Sequence, residues 1–156
     1  MYEKEWRVRK PNRLKGVEYN DNQCFFVTIC TKEKVEIFGR IKDCVMEYFD
    51  TGEIVKDEIN ILASVYENVV LHNSIVMPNH VHLLVEIYYD ETKSPTISQV
   101  IGQYKRAVTV KNGFSPWQKT FHEHKVRDEK AFNKISEYIE NNVNRWQDDC
   151  YHPKRK

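Results

Sequence analysis

The sequence predicts an α+β fold in which a split β-α-β arrangement builds one antiparallel sheet. Three observations carry this. Two apolar runs are separated only by Pro78-Asn79, which is turn chemistry, so they pair as a hairpin. Segments with helical apolar spacing stand before and after that hairpin. A third helical segment closes the chain. With 156 residues, 40% of them hydrophobic and 12% aromatic, there is enough apolar surface for one core, and one domain spanning 1–156 is expected.

The elements follow in order. Residues 1–20 are basic and aperiodic and form an expected N-terminal arm. CFFVTICT at 24–31 is β-branched and aromatic, the composition of a strand. Residues 35–49, with Gly39 in their middle, have no clear period and are consistent with an extended excursion. Asp50 stands three residues before Glu53, as in a capping box, and Val55, Ile59, Leu62 and Tyr66 then predict a helix over 51–66. The hairpin strands are VVLHNSIVM (69–77) and HVHLLVEIYY (80–89). Ile97, Ile101, Tyr104 and Val108 predict a helix over 98–110, ended by Gly113 and Pro116. KTFHEHKV (119–126) fits a strand. Asp128 then caps a last helix marked by Phe132, Ile135, Ile139 and Val143, and 147–156 is an expected tail. The order β-α-β-β-α-β-α is the ferredoxin-like split βαβ pattern with an added C-terminal helix.

Composition narrows the function classes. Mean hydropathy of −0.68 and the lack of an 18-residue apolar run argue against membrane insertion. MYEKEWRVRK lacks the apolar stretch of a signal peptide, and Cys24, Cys30, Cys44 and Cys150 form no CxxC pair. A reducing cytoplasm is the expected location. The net charge of +1 conceals segregation: residues 1–15 carry six Lys/Arg against two Glu, residues 101–127 six against one, and residues 43–91 ten Asp/Glu against Lys56 alone. Basic segments around an acidic middle suit either an anionic polymer or an ordinary solvated surface.

The hairpin and the last helix carry the chemistry. Strand alternation puts Val81, Leu83, Val85 and Ile87 on one face and His80, His82, Leu84, Glu86 and Tyr88 on the other. Two imidazoles on one side of the pleat suit joint ligation of a divalent ion, yet HxH equally describes two hydrogen-bonded or solvated histidines. The second HxH, His122 and His124, falls on an expected edge strand and reads as structural. On the last helix Tyr138 and Asn142 stand one turn apart at the margin of the apolar stripe. Asn142 has an oxygen for a hard cation. Tyr138 has an oxygen nucleophile, or is an aromatic packed on the sheet with a wet hydroxyl.

These residues together resemble a family. Met77-Pro78-Asn79-His80-Val81-His82 is similar to the HUH motif (His, hydrophobic, His) of single-tyrosine transposases, most closely the REP-associated tyrosine transposases. Arg13-Leu14-Lys15-Gly16 with Phe25 to Thr31, Tyr104-Lys105-Arg106, Trp117-Gln118 with Phe121 to His124, and Tyr138 to Asn142 extend the likeness over nearly the whole chain. Val143 stands where the family usually carries Pro.

The resemblance implies metal-dependent cleavage and strand transfer of single-stranded, hairpin-containing DNA. Tyr138 would attack a backbone phosphate to leave a 5′-phosphotyrosine and a 3′-OH. His80, His82 and Asn142 would hold Mg2+ or Mn2+, although two imidazoles also suit zinc. Arg9, Lys10, Arg13, Lys15, Lys105, Arg106, Lys125 and Arg127 are candidates for phosphates, and Trp117, Trp146 or Tyr104 for unpaired bases. No membrane partner is expected, and a homodimer or a monomer both fit. The rival readings are a non-catalytic hairpin-binding descendant of such a transposase, and a histidine-triad hydrolase, which Leu84 at the third position disfavours.

Overall fold

The structure, a computed structural model, describes residues 22–88 and 94–153. The arm expected over 1–20 lies outside these residues. Strand β1 (Gln23–Cys30) is followed by a hairpin of β2 (Gly39–Lys42) and β3 (Val45–Tyr48), then helix α1 (Asp50–Val65). Strands β4 (Val69–Met77) and β5 (His80–Ile87) come next, then α2 (Ile97–Asn112), β6 (His122–Val126) and α3 (Glu129–Glu140). The main sheet has the order β4-β5-β1-β6 with every neighbouring pair antiparallel. This is the expected split βαβ sheet with a C-terminal helix carrying Tyr138.

Strand β5 sits between β4 and β1 and is buried along its whole length. Val81, Leu83, Val85 and Ile87 face α1 and α2 and form the larger core with Val27, Ile29, Val55, Ile59, Val100 and Ile101. Full burial of each such side chain is worth about 1.5–3 kcal/mol, so this face fixes the register. A one-residue slip would send the histidines into that core. Capping differs between helices. Thr96 and Gln99 form a reciprocal capping box on α2, and Asp128 accepts from Ala131 N at 2.7 Å on α3. On α1 the cap is Phe49, without a side-chain bond, so Asp50 lies inside the first turn rather than capping it.

The excursion at 35–49 is the β2-β3 ribbon. Its turn residues Asp43 and Cys44 have φ of 52° and 61°, the left-handed pair a tight hairpin demands, here without the usual Asn-Gly signature. Helix α1 starts against this segment so closely that a Cβ on Gly52 would fall 1.8 Å from Phe38 O. Gly52→Ala must therefore displace backbone, and we expect a loss of about 1–3 kcal/mol in urea unfolding. An unchanged midpoint would show that the approach is not tight.

A candidate metal and tyrosine site on the sheet

The site occupies the sheet face opposite α1 and α2. Register sets Thr28 beside His82 and Cys30 beside His80 on one side, and Ile75 and Met77 on the other. Helix α3 covers this face, packing Phe132, Ile135 and Ile139 on Cys24, Leu84 and Val126. Asn73 Nδ2 pins it further by donating to Ser136 Oγ at 3.0 Å. Because Tyr138 precedes Ile139, it projects at the rim of that contact rather than into it.

His80 and His82 are 0% and 1% exposed, and their Nε2 atoms stand 3.1 Å apart. The turn residue Asn79 explains the orientation of the first. Its Nδ2 donates to Lys34 O at 3.0 Å and Tyr151 O at 2.8 Å. Its Oδ1 therefore faces His80 Nδ1, 2.9 Å away, and takes that nitrogen's proton as a hydrogen bond, leaving an Nε2 lone pair. His82 Nδ1 meets Thr28 Oγ1 at 2.9 Å, a hydroxyl able to donate or accept. Burial, and then the neighbouring His82, hold the His80 pKa well below the usual imidazole range. Burial brings His82 down to about 3. Both rings are neutral at pH 7, the form that ligates metal.

The helix stops at Glu140, two residues before Asn142. Asn141 caps it, its Nδ2 donating to Glu137 O at 3.1 Å, and Asn142 N bonds Ile139 O at 3.3 Å in a tighter turn. The expected continuous helix through Asn142 and Val143 is thus replaced by a turn. That turn still carries the Asn142 carboxamide inward, 1% exposed, toward His80 and Tyr138. Its Oδ1 is buried without a hydrogen-bond partner, an arrangement that costs about 1–3 kcal/mol unless something else ligates the oxygen. Tyr138 is 38% exposed, with its ring edge-on to His82 (centroids 5.4 Å) and to Phe26 (6.1 Å). Partial burial raises its pKa, Asn142 opposes the rise, and Asp149 and Cys150 add to it.

These donors fit a divalent cation. Two nitrogens each about 2.1 Å from one ion, at right angles, stand about 3.0 Å apart, close to the Nε2 separation seen. Among the described residues no three His, Cys, Asp or Glu side chains group tightly enough to hold an ion by themselves, so the set needs the carboxamide oxygen of Asn142.

The structure separates the remaining sequence candidates. Trp117 is 2% exposed, packed on Phe38 and Tyr104 with Nε1 donating to Lys105 O. Tyr104 is buried with its hydroxyl on Val55 O, and Trp146 is buried near His80. None of the three offers an open ring face to a base. Lys105 donates to Gln118 O and Lys119 O, and Arg106 lines an open groove of about 1090 Å³ beside Gln99, Gln103 and Tyr66. Both lie on α2, across the sheet from the histidines. Lys125 and Arg127 are exposed at and just after edge strand β6. Arg9, Lys10, Arg13 and Lys15 fall outside the described residues.

Some neighbours were not among the sequence candidates, and one pair, His122 and His124, stood there only as a structural HxH. Lys134 and Arg145 flank Tyr138 around an open cleft of about 260 Å³, with Glu137 and Asn141; helical spacing from Tyr138 could have found Lys134. His122 and His124 pair with Thr28 and Phe26, which sets them, exposed, on the site's face. Tyr151 lies on His80 with centroids 4.5 Å apart, and burial pushes its phenol up to about 12.

No family model matches the chain. It is 32% identical over 165 residues to an uncharacterized protein of Haemophilus influenzae, covering 90% of this chain and 91% of that one. Among solved structures, it is similar to a REP-associated tyrosine transposase bound to a REP hairpin, with a TM-score of 0.58 and 16% identity, over 84% of this chain and 71% of that one. A candidate transposase from Deinococcus radiodurans R1 gives a TM-score of 0.55 and 18% identity, over 83% and 96%. No helix among the described residues is long and apolar enough to cross a membrane.

Proposed function

Because the chain belongs to one family with the Haemophilus influenzae protein and shares the fold of the REP-associated tyrosine transposase, we propose that it is a single-tyrosine DNA strand transferase. It acts in the cytoplasm on single-stranded, hairpin-containing DNA. The observation that carries this is the convergence of two neutral imidazole Nε2 atoms, an unbonded carboxamide oxygen and a half-exposed phenol on one sheet face.

Tyr138 Oη attacks a backbone phosphorus. An Oη–P bond forms, the P–O3′ bond breaks, and the departing oxygen takes up a proton to leave a free 3′-OH beside a 5′-phosphotyrosine. A later 3′-OH reverses the exchange, so no external energy source is needed. His80, His82 and Asn142 would hold Mg2+ or Mn2+, which when bound supplies Lewis-acid stabilisation of charge on the phosphoryl oxygens. Asn79 and Thr28 keep the imidazoles aimed, and Asn142 favours the phenolate of Tyr138 against the burial that disfavours it. A labelled single-stranded hairpin oligonucleotide incubated with Mg2+ or Mn2+ should yield a product with a free 3′-OH and a protein-blocked 5′ end. Fragments with free 5′-phosphates would point to hydrolysis and against this function.

Substrate holding falls to cations around the tyrosine, Lys134 and Arg145, together with Lys125, Arg127 and the arm. Lys134→Ala with Arg145→Ala should weaken single-stranded DNA binding and lower the log-log salt slope by roughly 0.7 for each phosphate that is no longer neutralised. The quadruple change of Arg9, Lys10, Arg13 and Lys15 should act similarly on every ligand. A salt titration unmoved by either set would remove that set from the interface.

A further inference from the structure

The second His-x-His pair has a place in the fold that the strand-transfer chemistry leaves unused. Strand β6 lies at the edge of the main sheet. Val126, packed in the cluster under α3, shows which side its alternate residues face, so His124 and His122, two and four positions earlier, share that side. Register sets His124 opposite Phe26 and His122 opposite Thr28, and Cβ atoms so paired stand about 4.5–5.5 Å apart. Thr28 in turn meets His82 Nδ1 at 2.9 Å. Phe26 is the one residue from Cys24 to Cys30 that is not buried. Its ring lies against His82 (centroids 5.0 Å) and edge-on to Tyr138 (6.1 Å). Both imidazoles of the second pair are exposed. Outward from Tyr138, the sheet face therefore continues as Phe26 and two imidazoles to its edge.

Unpaired DNA calls for flat rings as well as cations, because every base has a π-face that can stack on a side chain. Burial closes Trp117, Tyr104 and Trp146 to that use. The cleft of Lys134 and Arg145 has Tyr138 as its one aromatic ring. Phe26, His122 and His124 supply rings on the open side of the sheet, adjoining the nucleophile, and each imidazole adds a polar nitrogen pair for base edges. We propose that these three residues form a shelf that stacks the unpaired base beside the scissile phosphate, so that the strand reaches Tyr138 across the open edge of the sheet. The position of the scissile phosphate rests on the strand-transferase reading, whereas base contact at the shelf is measured without cleavage.

The test is equilibrium binding of the full chain, in chelator, to oligothymidine and to an abasic oligomer of the same length. Wild type is compared with the double variant His122→Thr, His124→Thr, in which threonine suits an edge strand, with thermal melting as the folding control. The double variant should bind oligothymidine at least about 5-fold more weakly, the lower end of what one stacked base contributes, and the abasic oligomer as wild type does. Its log-log salt slope should match that of wild type, since no phosphate contact is lost. Unchanged affinity for oligothymidine, or equal losses on both oligomers, would overturn the shelf. Should the double variant fail to fold, wild type photocrosslinked to an oligonucleotide carrying iodouracil decides: the crosslinked peptides should contain Phe26, His122 or His124, and crosslinks confined to other segments would overturn the assignment. Base-dependent binding in wild type without any covalent adduct once Mn2+ is added would instead overturn the transferase and leave the shelf as a base-binding surface.

Discussion

Tyr138→Phe should abolish covalent attachment to single-stranded hairpin DNA, to below detection, while folding and DNA affinity stay near wild type. The ring makes its edge contacts with His82 and Phe26 through carbon atoms, and phenylalanine keeps them. Only the oxygen that forms the bond to phosphorus is removed, and no other group on the residue can replace it. A denaturing gel reads the adduct, and a native binding assay on the same preparation reads affinity. An adduct of undiminished yield would move the nucleophile elsewhere; Tyr151, whose ring also approaches His82 at 6.0 Å, would be the next candidate.

His80→Ala with His82→Ala should lower metal-stimulated cleavage by at least about 100-fold, the scale on which single charge-stabilising groups act. The two Nε2 atoms are paired by geometry, so losing both removes the nitrogen half of the donor set. Asn142→Ala, which takes away one oxygen, should weaken the same stimulation less completely. A thermodynamic readout separates loss of metal from loss of fold. With Mn2+ at about 100 times its dissociation constant, wild type should gain about 2.7 kcal/mol of stability, and the double variant should gain nothing. Cleavage in chelator equal to cleavage with magnesium or manganese would contradict the site.

Most of this was legible because two periodicities are strong in this chain. The period of two in 80–87 put His80 and His82 on one face and Val81, Leu83, Val85 and Ile87 on the other, and the helices covering the apolar face followed from that alone. Pro78-Asn79 fixed the hairpin, but its deeper role was not legible. That Asn79 orients His80 depends on Lys34 and Tyr151, which lie far from it in sequence. The β2-β3 ribbon escaped detection because Asp43-Cys44 adopts left-handed backbone without the glycine that usually announces it. The run of helical spacing past Ile139 suggested a longer α3, and the paired asparagines end it, since a side-chain amide competes for the last carbonyls. Composition also misplaced Trp117 and Tyr104: aromatic residues beside basic ones look like a base-stacking surface, yet both complete the core on the far side of the sheet. Asp149 had no motif to mark it, because only the turn after α3 brings it back to His80.

The most direct test of a tyrosine strand transferase is the identity of the residue bonded to DNA. Wild-type protein is incubated with a single-stranded hairpin oligonucleotide and Mn2+, denatured, digested with protease and nuclease, and mapped by mass spectrometry. The expected result is a nucleotide 5′-phosphate on the peptide containing Tyr138, formed only with the divalent ion. Modification of a different residue, or none when the oligonucleotide is cut, would contradict the account.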